Sequence, residues 1–334
     1  MSEKWSNILI VDIAFIGDLL MSTPAIECLR KHFPDSKIDI LVAPQCVDVI
    51  EDNSDINDVL VTRMKSGGLD AILEESARIK DRKYDSVICF HRGHGTLFML
   101  FKSGIKNRIG FTHGGRGFFL TGGVPFQILK HRTWNHLHLL EQGAGIPVDY
   151  SFPAKMVVID EAIASVRDKL NGTDSDKGIY AVNPNAAWKT KRWHPERFAE
   201  LINKIGNSGI QPVLVGANSD IDTVKLVESM VNFPLLNLTG QTSLKELAAL
   251  FSICRFVVTN DSGPMHIAQA VGSKVISIFG PTDPRRCGPW MSENSPIQAE
   301  IDCIRCYRKS CWHMSCMKKI ATDQVLDAAR SLQD

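Results

Sequence analysis

Apolar residues along the chain follow two alternating patterns. Short aliphatic and β-branched runs, as in residues 7–13, predict buried strands, whereas apolar residues at helical spacing, as in residues 18–33, predict amphipathic helices. A strand that leads directly into a helix is the beginning of a βαβ unit. Because the strand runs are apolar throughout, we expect parallel sheets that are buried on both faces.

The alternation occurs in both halves of the chain, separated by the turn-rich segment 145–149. In the first half, further strands are predicted at 37–43, 85–91 and 107–111 and helices at 68–80 and 133–143. After a helix at 160–170 and the polar loop 171–178, strands are predicted at 179–183, 211–215, 235–238, 256–259 and 274–279, and helices at 195–208, 219–231, 243–251, 264–271 and 322–332.

Two halves of similar size predict an α/β protein with two doubly wound, Rossmann-like domains that face each other across a cleft. We place the first domain at residues 1–155, the second at 156–320 and a C-terminal helix at 321–334. The length of 334 residues agrees with two domains.

Composition narrows the class of protein. With 44% hydrophobic and 22% charged residues, the chain is typical of a soluble globular protein and not of a disordered, collagen-like or disulfide-scaffold chain. A formal charge of +1 gives no argument for binding nucleic acid. Because no apolar run approaches 18 residues and the first is too short for a signal peptide, we expect a cytoplasmic protein.

A turn in the second half has the features of an anion site. Residues 259–266, Thr-Asn-Asp-Ser-Gly-Pro-Met-His, directly follow a predicted strand and begin a helix. The small Ser262 and Gly263 would let a ligand approach the free backbone amides there. The alternative is that these residues only cap the helix.

A basic loop precedes another predicted helix in the same half. The loop 183–195 contains Lys189, Lys191 and Arg192, which could bind a diphosphate together with the Ser262-Gly263 turn. A short basic loop could equally be a solvated surface.

The first strand ends in a turn that contains a carboxylate. The turn 12–24 has one glycine, whereas a dinucleotide fingerprint needs three, which argues against a dehydrogenase. Asp18 begins the following helix at the carboxyl end of the strand, where it could accept a proton from an acceptor hydroxyl. It could instead only cap that helix.

Residues 86–140 contain no Asp or Glu. This basic region also contains the apolar stretches 97–101 and 118–120. A basic surface with apolar loops suits an anionic amphiphile, such as a phosphorylated lipid at a membrane face, and the alternative is a set of core helices with a solvated basic rim. No nucleic-acid-binding motif accompanies it. Its basic residues and histidines are Arg92, Lys102, Lys106, Arg108, Arg116, Lys130, Arg132, His91, His94, His113, His131, His136 and His138.

The nine cysteines fall into two groups. Four of the scattered ones, Cys28, Cys46, Cys89 and Cys254, have apolar surroundings that suit small buried side chains. A cluster near the C-terminus has the spacing C-x2-C-x4-C-x4-C, which could close a structural Zn or Fe site, with free thiols or a labile disulfide as the alternatives. The cluster, in the segment 303–316, consists of Cys303, Cys306, Cys311 and Cys316.

Taken together, the motifs resemble glycosyltransferase family 9, the ADP-heptose heptosyltransferases of lipopolysaccharide core assembly. The resemblance implies a GT-B fold, with an acceptor-binding first half and a donor-binding second half. It also implies an inverting transfer that requires no metal or other cofactor. The stretches that carry it are Ile8-Leu9-Ile10-Val11 through Gly17-Asp18-Leu19-Leu20 to Thr23-Pro24, Lys191-Arg192-Trp193, Asn260-Asp261-Ser262-Gly263-Pro264-Met265-His266 and Phe279-Gly280-Pro281-Thr282-Asp283-Pro284.

The resemblance also implies roles for single residues. Asp18 falls at the general base, Lys191 at the residue that holds the donor diphosphate, and Asp261 at a carboxylate that contacts the sugar. Ala186 and Ala187 replace hydroxyl residues that some members have, so phosphate contact would fall to Thr190 or to backbone amides. The remaining expected donor residues are Asp220 at the ribose and Ser262, Gly263 and His266 in the pyrophosphate turn, and the expected acceptor residues are Arg92, Arg108 and Arg116.

We therefore expect a heptose, or a related sugar, to move from an ADP-sugar to a hydroxyl of a lipopolysaccharide core or a similar anionic glycolipid. The protein would lie in the cytoplasm, at the inner face of the inner membrane. The alternatives are a nucleotide-sugar epimerase, a heptosyltransferase that glycosylates protein, and a non-catalytic relative that binds a sugar nucleotide. The sequence leaves the oligomeric state open.

Overall fold

The computed structural model describes residues 5–64, 68–112, 114–170, 178–206, 208–290 and 295–332. Most of the polar loop predicted at 171–178 lies outside the described residues, as do His113 and the side chain of Arg116. The chain divides into two compact units, Met1–Ala154 and Lys155–Asp334, here called unit 1 and unit 2.

Unit 1 is built on a six-stranded parallel sheet. Its strands are β1 (Asn7–Asp12), β2 (Lys37–Val42), β3 (Asp58–Val61), β4 (Ser86–Cys89), β5 (Asn107–Thr112) and β6 (Gly122–Pro125). They pair in the order β3-β2-β1-β4-β5-β6. The helices are α1 (Ile16–Leu20), α2 (Thr23–His32), α3 (Leu69–Asp81), α4 (His94–Lys102) and α5 (Arg132–Ala144).

Unit 2 repeats this plan with a second six-stranded parallel sheet. Its strands are β7 (Ile179–Asn183), β8 (Gln211–Leu214), β9 (Leu236–Asn237), β10 (Val257–Asn260), β11 (Val275–Phe279) and β12 (Ser295–Gln298), in the order β12-β11-β10-β7-β8-β9. The helices are α6 (Asp160–Leu170), α7 (Pro195–Gly206), α8 (Ile221–Glu228), α9 (Leu244–Ile253), α10 (Gly263–Ala270), α11 (Pro284–Cys287), α12 (Ser315–Lys318) and α13 (Thr322–Ser331).

These two sheets confirm the predicted pair of doubly wound α/β units. The central strands are buried along nearly their whole length, as their continuous apolar runs predict. The final helix, α13, packs into the core of unit 2 through Val325, Leu326 and Ala329. Among the helices that the structure describes, none is both long enough and apolar enough to cross a membrane.

The structure corrects several predicted elements. The helix predicted at 18–33 is interrupted at Met21 and Ser22, because Pro24 has no N–H with which to continue the hydrogen bonding of α1 into α2. The strands β3, β6 and β12 were not predicted, and two of them contain the proline or glycine that interrupts the apolar pattern of a strand. Residues 97–101 belong to α4 and not to an apolar loop, and they bury Leu97, Met99 and Leu100.

Candidate active site

In unit 1, a cavity of about 240 Å³ lies at the carboxyl ends of β1 and β4. In an open parallel sheet, ligands bind at this edge, where the chain leaves neighbouring strands in different directions. Charged side chains dominate the polar part of its lining. They include Asp12, Asp18, Arg92 and Arg132, and His91 lies beside them.

Asp18 is the third residue of α1. The helix begins after Phe15, so Asp18 is not its N-cap residue but lies in its first turn. Its Oδ1 lies 2.6 Å from Nη1 of Arg132 on α5, and both side chains are partly exposed. The ion pair therefore orients the carboxylate at the cavity.

Asp12 is the last residue of β1 and is 2% exposed. Burial, reinforced by the charge of Asp18, raises the pKa of Asp12 from 3.8 to about 7, although Ser22 and Arg132 act in the opposite direction. Its buried Oδ2 has no hydrogen-bond partner in the part of the chain that the structure describes. The cavity thus contains a second carboxyl group, which sequence reasoning missed.

Two histidines of the basic region are buried on or next to α5. Burial, together with Arg132, lowers the pKa of His136 to about 3, so this ring is neutral in the physiological range. His131 is also buried, and its Nδ1 accepts a hydrogen bond from the backbone N–H of Thr133 at the start of α5.

Of the three arginines expected at the acceptor, the structure describes the side chains of two, and only one of these two lines the cavity. Arg92 lines the cavity, with its guanidinium carbon 4.1 Å from the centre of the Phe126 ring. Arg108 donates from Nε to the carbonyl of Phe119 at 2.8 Å and lies 5.5 Å from the Phe101 ring, so it holds a loop in place. Arg116 lies outside the side chains described.

In unit 2, a pocket of about 480 Å³ opens at the carboxyl ends of β7, β8 and β10. Three of the predicted donor residues, Asp220, Ser262 and Gly263, line it. Oδ2 of Asp220 accepts a hydrogen bond from the backbone N–H of Ala217 at 2.9 Å, which orders the loop after β8. Sequence reasoning missed other lining residues, namely Asn185, Thr242, Ser243, Leu244 and Leu247.

The turn that begins α10 has the geometry expected of an anion site. Ser262 is the N-cap residue, but it makes no side-chain capping bond, and its hydroxyl lies 3.2 Å from that of Thr259. A Cβ at Gly263 would meet nothing within 4 Å, so space opens beside the backbone there. The first N–H groups of a helix attract anions, and Ser262 and Gly263, which carry such groups here, line the pocket.

Lys191 and Asp261 form an ion pair next to this turn. Their Nζ and Oδ2 atoms are 2.7 Å apart, and both side chains are largely buried. The hydroxyl of Thr282 donates to Oδ2 of Asp261 at 2.5 Å. The motif Phe-Gly-Pro-Thr, which begins at the last residue of β11, thus positions Asp261 through Thr282. This motif stands out in the sequence, but the sequence does not assign it this role.

Two other expected donor residues are buried. The hydroxyl of Thr190 donates to the carbonyl of Arg308 at 2.8 Å, which ties the Lys191 loop to the cysteine-containing segment. His266 is buried on α10 and is not part of the pocket lining.

The four clustered cysteines lie within electrostatic range of one another, since burial raises the pKa of Cys316 and nearby Cys306, Cys311 and Cys303 raise it further. Cys303 and Cys306 are exposed, Cys311 is partly exposed and Cys316 is buried. Within the described residues, no three His, Cys, Asp or Glu side chains are placed to hold a metal ion together. The metal at this cluster therefore stays a prediction. The prediction that Cys28, Cys46, Cys89 and Cys254 are buried is confirmed.

The two doubly wound parallel sheets, with a polar pocket at the start of a helix, define a GT-B type glycosyltransferase fold. A sequence model of glycosyltransferase family 9 (heptosyltransferase) matches residues 75–316, well over half of the chain. The chain belongs to this family and is a glycosyltransferase.

Individual relatives are similar to this chain over nearly its full length. Lipooligosaccharide heptosyltransferase 2 of Campylobacter jejuni is 24% identical, over 95% of each chain. The solved structure of a family 9 glycosyltransferase from Veillonella parvula matches with a TM-score of 0.86 and 25% identity, over 100% of this chain and 98% of that chain. The structure of the Escherichia coli ADP-heptose lipopolysaccharide heptosyltransferase II matches with a TM-score of 0.82 and 19% identity, over 98% of both chains.

Proposed function

We propose that the protein transfers a heptose from ADP-heptose to a hydroxyl of a lipopolysaccharide core and inverts the anomeric configuration without a metal ion. The observation that carries the proposal is the Lys191–Asp261 pair beside the uncapped start of α10. Family membership and the activities in the names of the C. jejuni and E. coli proteins supply the sugar and the acceptor class.

In this proposal, the pocket of unit 2 binds the donor. Asp220 lies at the ribose, and the backbone amides at Ser262 and Gly263 bind the diphosphate. Lys191 adds a fixed positive charge, which stabilises the departing diphosphate in the way that a metal ion does in other transferases. Asp261, held by Thr282, contacts the sugar.

Unit 1 supplies the base in this proposal. Asp18 removes the proton of the acceptor hydroxyl, and the oxygen attacks the anomeric carbon on the face opposite ADP. The bond from that carbon to the diphosphate oxygen breaks, and its electron pair leaves with ADP. Arg132 orients the carboxylate of Asp18, and Arg92 lies in the same cavity, where it can bind an anionic group of the acceptor.

We further propose that the protein is cytoplasmic and binds its glycolipid acceptor at the inner face of the inner membrane. Phe101, Phe118 and Phe119 form an aromatic patch in which neighbouring ring centres are 5.7–6.1 Å apart. Phe118 is 79% exposed. Because the patch lies within a stretch free of acidic residues and next to Lys102, it suits an anionic bilayer surface.

Calorimetric titration in metal-free buffer tests which donor binds, and a transfer assay on the same variants tests the proposed base. We expect the wild-type protein to bind ADP and ADP-heptose but neither NAD nor a UDP-sugar. Lys191→Ala should weaken both binding and transfer, whereas Asp18→Ala should abolish transfer and largely spare ADP binding. Loss of ADP binding with Asp18→Ala, but not with Lys191→Ala, would reverse the proposed roles of the two units.

Product analysis separates the alternatives. A heptosyltransferase of this class releases ADP only when the truncated core is added, whereas an epimerase would convert the donor without any acceptor. Heptose incorporated into protein, and not into the core, would favour the protein-glycosylating alternative.

Sedimentation with lipid vesicles tests the membrane surface. Phe118→Ser should reduce binding to vesicles that contain phosphatidylglycerol by about tenfold, because a buried aromatic ring contributes roughly 1.5 kcal/mol or more. The matched control is Leu226→Ser on α8 of unit 2, which removes another exposed apolar side chain and should leave binding unchanged. Equal binding by both variants, or binding to neutral vesicles only, would contradict the proposal.

A further inference from the structure

Asp12 and Asp18 lie at opposite ends of the turn that leaves β1, and both line the cavity of unit 1. Asp18 is paired with Arg132 and partly exposed, whereas Asp12 is buried, with the Ser22 side chain close enough to lower its pKa and with Oδ2 making no hydrogen bond among the described residues. A buried carboxyl oxygen without a hydrogen-bond partner lowers the stability of the fold. A functional role would explain why such a group lies beside the proposed reaction site.

We propose that Asp12 receives the proton that Asp18 removes from the acceptor hydroxyl, so that the two carboxyl groups form a proton relay. This inference rests on the proposed transfer. The acceptor O–H bond breaks and its proton moves to Asp18, while the freed electron pair forms the new glycosidic bond. The proton then moves from Asp18 to Asp12, which restores the Asp18 carboxylate beside Arg132, and it finally leaves from Asp12 to water.

Charge explains the direction of the second step. A protonated Asp18 would leave the guanidinium of Arg132 without its counter-charge, 2.6 Å from Oδ1. A proton on Asp12 instead neutralises a carboxylate that is buried, and burial raises the pKa of Asp12 to about 7. Two carboxyl groups in one site whose surroundings differ in this way are suited to separate roles in proton transfer.

The groups around Asp12 support a proton-holding role. Burial raises the pKa of Cys46, to about 12, in the turn after β2, and the pKa of Cys89 at the end of β4. Nearby Asp12 raises both further, so neither thiol ionises to compete for a proton. The ring of His136 is held neutral. The titratable and charged groups that face Asp12 from the surrounding elements are Asp18 on α1, Cys46 after β2, Cys89 on β4, His91 and Arg92 after β4, and Arg132 and His136 on α5.

The pH dependence of turnover tests the relay, with ADP-heptose and an O-deacylated, truncated lipopolysaccharide core as substrates. Wild-type kcat should rise with pH and level off above about pH 7, as Asp12 becomes able to accept a proton. In Asp12→Asn, this rise should be absent, kcat at high pH should fall by about tenfold to hundredfold, and KM for the core should stay within about twofold. Asp12→Glu should restore the pH-dependent rise.

An Asp12→Asn enzyme that keeps the wild-type pH profile would overturn the relay. So would a raised KM with unchanged kcat, because that result would assign Asp12 to acceptor binding. Failure of the wild-type enzyme to transfer heptose at any pH would overturn the proposed function, and the relay with it.

Infrared spectroscopy of protein with isotope-labelled aspartate tests the relay without turnover. A protonated carboxyl band should disappear as the pH rises through about 7, and it should be absent from Asp12→Asn. A wild-type spectrum with no such band would overturn the relay even if heptose transfer is intact.

Discussion

At the residue scale, two aspartates in one cavity have different electrostatic surroundings. Asp18 faces the guanidinium of Arg132, whereas Asp12 lies inside the end of β1. A buried carboxyl group binds its proton more tightly in the folded chain than in the unfolded chain. Asp12 therefore affects stability, independently of the proposed relay.

Asp12→Asn should stabilise the protein at alkaline pH and have little effect in acid. The pKa of Asp12 is raised from 3.8 to about 7, so its favourable contribution is complete below pH 3.8 and is lost as the pH rises through 7. This loss of folding free energy is on the order of 4 kcal/mol. It does not occur in Asp12→Asn, because asparagine does not ionise. Urea unfolding at about pH 4 and pH 8 measures the difference in the free energy of unfolding.

Asp39→Asn is the matched control on the neighbouring strand. Asp39 is also buried, but it accepts a hydrogen bond from the Tyr84 hydroxyl at 2.7 Å and lies 3.1 Å from Nζ of Lys37. Its replacement should destabilise the protein at both pH values. An Asp12→Asn variant no more stable than wild type at pH 8 would mean that other groups compensate the buried charge.

At the scale of elements, the side chain of Asn260 links the ends of two strands, β7 and β10, to the loop that contains Lys191. Oδ1 of Asn260, at the end of β10, accepts a hydrogen bond from the backbone N–H of Trp193 at 2.9 Å. Its Nδ2 donates to the carbonyl of Pro184, after β7, also at 2.9 Å. These bonds hold both ends of the loop that contains Lys191, so the geometry of the proposed donor site depends on Asn260.

Asn260→Ala should therefore lower both stability and ADP affinity. It leaves two buried backbone groups without partners, at a cost of about 1–3 kcal/mol each, and we expect ADP affinity to fall about tenfold as the loop loosens. Asn203→Ala is the control, because Asn203 similarly bonds the carbonyl of Met230 and the N–H of Asn232 away from the pocket. It should lower stability alone. Equal loss of ADP affinity in both variants would mean that general destabilisation is the cause.

At the scale of the whole molecule, the proposed donor and acceptor sites belong to different compact units. Every residue that lines the pocket lies in Lys155–Asp334, and every residue that lines the Asp18 cavity lies in Met1–Ala154. Each unit also has its own buried hydrophobic core. Binding of the donor should therefore be separable from the base.

Expressed alone, residues 155–334 should bind ADP with an affinity within about threefold of that of the full chain. The reason is that unit 2 by itself forms the lining of the pocket, so binding requires no further ordering of the chain. The fragment should transfer no heptose, since Asp18 is absent. Calorimetry and a transfer assay on the fragment measure both properties, with circular dichroism to confirm that it is folded. A folded fragment that does not bind ADP would show that unit 1 contributes to donor binding.

Local patterns in the sequence determined most of the secondary structure and the turns at which we propose that ligands bind. Buried strands and amphipathic helices each repeat within a few residues, so 160–170 and 179–183 were predicted with the bounds that the structure has. The turn at Ser262 was likewise predicted, because small residues between a strand and a helix are an adjacent, local signal. The strands β6 and β12 were missed because their glycine and proline residues interrupt the apolar pattern of a strand.

Only the tertiary structure decided which side chains act together. Arg132 pairs with Asp18, although the two residues are more than 100 positions apart in the sequence. Thr282, which follows the neighbouring strand β11, donates a hydrogen bond to Asp261. The raised pKa of Asp12 and the neutrality of His136 depend on burial, which no residue type specifies by itself. Periodicity is a property of consecutive residues, whereas charge pairing and desolvation depend on which elements pack together.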